Sequence, residues 1–239
     1  MAQPPAADLP ADAAAQIYDQ LWDQALARFA DGEAQIDQQL IHREADRRTG
    51  ITLIARPGAE VVERIGQLAA ELRAIEPEQY FYQPDELHVT VMTLVSASDS
   101  FDLRRAPIAT YHAALGQLFR RAYQFSIRFR GLTASPSAVL IQGFVDNHYL
   151  NQLREAIRQE LGHAGLADHL DVRYRIATAH CTTMRFRARP RDLPRLVRQL
   201  RAARERNFGS ATIDRIDFVA NDWYMARDRV QLLASYRLV

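Results

Sequence analysis

One order of elements is written twice in this chain, and each copy carries the triplet His-x-Thr on its second strand. His88-Val89-Thr90-Val91 and His180-Cys181-Thr182-Thr183 begin 92 positions apart. The helices that follow them, anchored at Arg104 and Asp192, are 88 apart, and so are the next strands, anchored at Gln124 and Thr212. A supersecondary order repeated at a near-constant offset points to a duplicated architecture. Strands outnumber crossover helices, and the closing strands read as antiparallel hairpins. The expected class is therefore α+β: two pseudo-twofold-related lobes, each an antiparallel sheet with helices, around a central cleft.

Along the chain, residues 1–10 are rich in Pro and Ala and read as a mobile tail. Residues 11–49 read as a helical extension, with Ile17, Leu21, Ala25 and Phe29 near helical spacing and a break at Asp31-Gly32. The bilobal domain is expected over 50–239, in units of about 50–145 and 138–239, because Ala138–Phe144 serves both units. In the first unit a strand at Ile51–Ala55 is followed by a helix ending at Pro77, then a strand from Leu87 to Val95. A second helix and strands near Tyr123–Arg130 and Ala138–Phe144 close it, with a Ser-Pro-Ser turn between them. In the second unit we expect a long strand from Val172 to Phe186, and strands near Ala211–Val219 and Arg229–Leu238.

Composition removes several classes of function. Net charge is +1 over 239 residues, which disfavours a globally electrostatic nucleic-acid binder. All 30 basic residues are Arg, so no lysine nucleophile, Schiff base or phosphate-loop lysine is available. The single cysteine, Cys181, forms no internal disulfide and should point into the core. No apolar run is long enough to span a bilayer, and the first residues lack a secretory signal, so no membrane association and a cytoplasmic location are expected. His163, His169, Asp168 and Asp171 offer no third ligand at a zinc spacing, and no metal site is expected.

Strand parity supplies the chemistry. Residues i and i+2 share a face, so His88 projects with Thr90 and His180 with Thr182. Pseudo-twofold symmetry would bring both pairs to one cleft floor. Two imidazoles can take a proton from water and give one to a departing oxygen, while hydroxyls bind the non-bridging oxygens of a phosphodiester. No cofactor is needed for this.

The two motifs resemble those of the 2H phosphoesterase superfamily, which includes the bacterial RNA 2′,3′-cyclic phosphodiesterases, also called 2′-5′ RNA ligases. The resemblance covers roughly residues 50–239. It implies a bilobal fold and metal-independent hydrolysis of 2′,3′-cyclic phosphates on RNA ends or small nucleotides. It also implies His88 as proton donor to the leaving ribose oxygen, His180 as the base and Thr90 and Thr182 as phosphate ligands, although symmetry allows the opposite acid–base assignment. Arg185 stands where several relatives carry an arginine, yet strict alternation puts it on the face opposite His180, so a bulge or strand end must turn it. Tyr82 and Tyr174 are candidates for stacking on a base. Nine arginines between positions 185 and 206 offer either an RNA-tracking stripe or a solvated helix face.

Two other readings stay open: action on 2′-5′ linkages by the same four residues, and a nucleotide- or RNA-binding module without turnover. A monomer is expected, with the N-terminal helices available as a partner-docking element.

Overall fold

A computed structural model describes residues 13–170 and 175–239. In chain order, α1 (Ala13–Ala30) and the single turn α2 (Gln38–Ile41) precede β1 (Thr49–Ala55) and α3 (Ala59–Ile75). Next come β2 (Tyr80–Phe81), β3 (Val89–Ser98), α4 (Ile108–Phe119), β4 (Phe125–Ser135) and β5 (Ala138–Val145). The chain ends with α5 (Tyr149–His163), β6 (Cys181–Arg185), α6 (Leu193–Ala202), β7 (Asn207–Ile213), β8 (Arg215–Asn221) and β9 (Gln231–Arg237).

Local chemistry explains these bounds. In α3, Val61, Ile65, Leu68 and Leu72 fall on one buried stripe, and the helix stops just before Pro77. Asp192 caps α6 by accepting a hydrogen bond from the Arg195 amide, and Pro194 occupies its first turn, where no amide partner is lost. The first half of β4 alternates strictly, with Phe125, Ile127 and Phe129 inward and Ser126, Arg128 and Arg130 outward.

All nine strands among the described residues belong to one antiparallel sheet, ordered β7-β4-β5-β6-β3-β1-β8-β9, with β2 added alongside β6. Each half of the sheet draws on both sequence units. β1 and β3 are joined by β8 and β9, whereas β4 and β5 are joined by β6 and β7. Helices α4 and α5 back the first half, and α3 and α6 back the second. Two expected strands are corrected. The stretch Ala211–Val219 is two strands, because at Asp214 the chain steps from one half of the sheet to the other. The strand placed at Val172–Phe186 is only Cys181–Arg185: residues 175–180 are irregular, and the rest of that stretch lies outside the described residues.

The helix α1 packs on β4 in the second half of the sheet and also meets α6. Cross-strand pairing puts Thr133 beside Leu140 and Ser135 beside Ala138, facing α1. Thr133 donates to the Tyr18 carbonyl at 2.7 Å. The buried Tyr18 hydroxyl donates to the Gly143 carbonyl and accepts from the amides of Gly143 and Ala179. Glycine at position 143 lets the segment before β6 approach β5. A Cβ on Gly143 would sit 2.0 Å from the Ala179 carbonyl oxygen. Among the described residues, no helix is long and apolar enough to cross a membrane.

Candidate active site

The two motif strands meet at a single antiparallel bridge, Val89 opposite Cys181. That register sets His88 across from Thr182 and His180 across from Thr90, with the pseudo-twofold axis between the bridge residues. His88, Thr90, His180 and Thr182 line one cavity of about 160 Å³ at the junction of the two halves. Val89 and Cys181 point behind it and are buried. Burial raises the Cys181 thiol to about 12, which makes it a packing residue rather than a nucleophile.

Each imidazole is held through Nδ1. His88 Nδ1 lies 2.7 Å from the Glu86 carbonyl oxygen, an acceptor, so this nitrogen carries the proton and Nε2 serves the cavity. Arg56 steadies the loop by donating to the carbonyls of Asp85 and Leu87. His180 Nδ1 lies 2.8 Å from the Thr178 hydroxyl. Both rings are shifted down to about 4. For His88 the largest cause is burial, opposed by the Glu86 carbonyl; for His180 it is burial, followed by repulsion from His88. Both are therefore neutral at pH 7 in the empty cleft.

Arg185 reaches the same cavity because β6 contains a bulge. Neighbouring residues Val139 and Leu140 pair with Met184 and Thr182, which leaves Thr183 as the extra residue. The bulge reverses the alternation after Thr182, so Arg185 shares the cleft with His180. Thr183 hides its hydroxyl with no hydrogen-bond partner among the described residues.

Tyr82 lines the same cavity. Its ring is 6% exposed and edge-on to Tyr80, and its hydroxyl accepts from Arg185 Nε at 2.9 Å. Its structural part is to orient Arg185. Tyr174 lies outside the described residues. Among the nine arginines of 185–206, Arg191, Arg204 and Arg206 pair with Glu78, Asp19 and Glu71, and Arg187 donates to the Glu78 carbonyl. These pairs tie α6 and its flanks to the body of the protein.

Three groups at the site are absent from the sequence reading. Arg154, only 1% exposed, donates from α5 to the carbonyls of Val91, Thr90 and Thr178 at 2.7–3.0 Å. The motif strands separate beyond their one bridge, and this guanidinium satisfies the carbonyls exposed there. Second, Trp223 and Asn221 line the cavity beside Met225, whose φ of 57° is left-handed. The run Asn221-Asp222-Trp223-Tyr224 after a strand was the available signal, since polar and aromatic residues gather on such functional loops. Third, the extension buttresses the site. Tyr224 donates to Asp37 at 2.8 Å and accepts from Arg48, itself paired with Asp46, and the Arg185 guanidinium carbon lies 5.8 Å from the Tyr224 ring. No motif announces these contacts. Among the described residues, no three His, Cys, Asp or Glu cluster as metal ligands.

A curled antiparallel sheet with two His-x-Thr motifs meeting across one bridge defines the class: this is a 2H phosphoesterase fold. Residues 57–223 match the 2′-5′ RNA ligase superfamily, and the chain belongs to that superfamily. The fold is similar to TT0787 of Thermus thermophilus, with a TM-score of 0.60 and 16% identity over 79% of this chain and 97% of that one. It is also similar to Escherichia coli LigT solved with 3′-AMP, with a TM-score of 0.51 and 18% identity over 81% of this chain and 99% of LigT. No curated protein matches the chain.

Proposed function

We propose that this protein hydrolyses a 2′,3′-cyclic phosphate, on a nucleotide or an RNA end, by two-histidine general acid–base catalysis. The observation that carries the reading is the pair of imidazoles, each anchored through Nδ1 and each presenting Nε2 to a cavity that also holds two hydroxyls and a guanidinium. In LigT a nucleoside 3′-phosphate occupies the protein, which is the kind of molecule such hydrolysis releases.

Anchoring favours one direction of proton flow. The Glu86 carbonyl stabilises a charged His88 ring, so His88 is the group to hold the catalytic proton. His180, beside a hydroxyl that can donate or accept, takes the proton of the attacking water. The water oxygen bonds to phosphorus, one P–O(ribose) bond breaks, and His88 protonates that departing oxygen. Thr90, Thr182 and Arg185 bind the non-bridging oxygens, where charge gathers. Solvent then takes the proton from His180 and supplies one to His88.

The test is turnover, in EDTA, of 2′,3′-cyclic nucleotides and of a short RNA ending in a cyclic phosphate. Release of a phosphomonoester supports the reading. Cleavage confined to 2′-5′ linkages, or nucleotide binding without turnover, overturns it.

The pH dependence follows from the depressed rings. kcat/KM reports the free protein, which must hold one proton on the pair. With both rings near 4, kcat/KM should fall about tenfold per pH unit above pH 5, whereas kcat, set with the anion bound, should hold to higher pH. A kcat/KM plateau extending to pH 7 would count against desolvated rings. Stability runs the other way. The unfolded chain protonates these histidines near 6.5 and the folded chain only near 4, so acid is taken up first by the unfolded chain. The stability their neutral forms contribute is present above pH 6.5 and is lost as pH falls toward 4.

A further inference from the structure

A second cavity, of about 300 Å³, opens directly beside the motif residues and shares Ile176, His180, Thr182 and Arg185 with the central one. Its outer wall is α1. Ile17 and Leu21 face Leu140 across it, and the Ser135-Pro136-Ser137 turn closes one end with two hydroxyls. The family match begins at residue 57, so this wall stands outside the region the chain shares with its superfamily. The solved relatives are covered almost to full length while about a fifth of this chain is left over.

The two cavities divide the roles by their linings: the central one holds both His-x-Thr pairs, and the adjoining one, about 300 Å³, gives a small-ligand group room beside them. Aliphatic side chains on opposite walls suit the faces of a planar ring, and hydroxyls at the end suit its polar edge. The helix also bars through-passage. α1 is fixed to the sheet by Tyr18 and Thr133, and Arg204 joins Asp19 on its outer side. A polynucleotide laid across this half of the sheet meets α1.

We propose that α1 forms a dead-end subsite that takes a single nucleoside of the ester, next to the phosphate held by the motif residues. This rests on the hydrolase reading above and deepens it: the substrate presents one terminal nucleoside to this side of the site. The specificity-determining residues are Ile17 and Leu21, from an element with no part in the proton transfers.

Equilibrium titration of the whole protein with adenosine 3′-phosphate and with inorganic phosphate tests the subsite without turnover. The nucleotide should bind at least about tenfold tighter than phosphate. Filling the pocket with Leu21→Trp should remove that advantage and leave phosphate affinity within about twofold, since phosphate needs only the central cavity. Ser137→Leu, in the turn at the pocket's end, makes the same test should the helix variant fail to fold. Equal nucleotide affinity in the filled and original proteins overturns the subsite, as does the absence of any advantage over phosphate or of binding by either ligand. The two proposals separate cleanly. Lack of turnover with the affinity pattern intact removes the hydrolase reading alone, and turnover with nucleotide affinity indifferent to Leu21→Trp removes the subsite alone.

Discussion

Alanine at His88 or at His180 is expected to cut turnover of a 2′,3′-cyclic nucleotide by about 10²–10⁴-fold, the usual worth of a positioned acid or base. The two single changes should be of similar size. Their combination should be little worse than either, because acid and base act in one transition state and the loss of one idles the other. KM should move far less than kcat, since Thr90, Thr182 and Arg185 still bind the phosphate. The fold should survive, as each ring is desolvated at a cost that its removal relieves. Steady-state rates and melting curves for the three variants decide the matter. A single variant that keeps more than about a tenth of the activity would remove that histidine from the chemistry.

Arg154→Leu is expected to have the largest effect on stability, about 3 kcal/mol or more. The leucine leaves the carbonyls of Thr90, Val91 and Thr178 without their guanidinium partner in a buried setting, and each unsatisfied group costs about 1–3 kcal/mol. For a chain of this size that is a fall in Tm of roughly 10 °C. Activity should fall as well, because Thr178 orients His180 and Thr90 belongs to the first motif. Arg154→Lys should recover part of the stability, as one ammonium cannot span the carbonyls that a planar guanidinium bridges. Denaturant titration gives the number directly. A loss below about 1 kcal/mol in the leucine variant would mean that these carbonyls find other partners.

The parts of the site legible in sequence were those governed by short-range periodicity. Strand parity alone grouped His88 with Thr90 and His180 with Thr182, and the register at Val89–Cys181 sets both pairs on one floor. Parity failed at Arg185, because a bulge is one inserted residue and leaves the alternation on either side intact. The boundary inside Ala211–Val219 also went unread: alternation through Ile213 resumes out of phase at Ile216, and the polar pair Asp214-Arg215 between them marks the passage from one half of the sheet to the other. Tyr82 carries a bond that its position did not announce. An aromatic beside a motif suggests stacking, and only the fold shows its hydroxyl committed to Arg185. Arg154, Asp37 and Tyr224 were out of reach because their partners stand 24 to 187 positions away in the chain, and no spacing rule connects them.

The interleaving of the sheet also bears on how the protein comes to exist in time. β1 waits for β8, and β3 for β6, so neither half can close until strands from the far end of the chain arrive. Such dependence on distant pairings slows folding, because the entropy of closing long loops is spent before the contacts return it. During synthesis the first sequence unit emerges with its His-x-Thr strand complete and its pairing edge bare. It should neither bind phosphate nor resist proteolysis until the C-terminal strands follow. On the proposed reading, catalytic competence is therefore a property of the finished chain, gained when the C-terminal strands take their places beside the first unit.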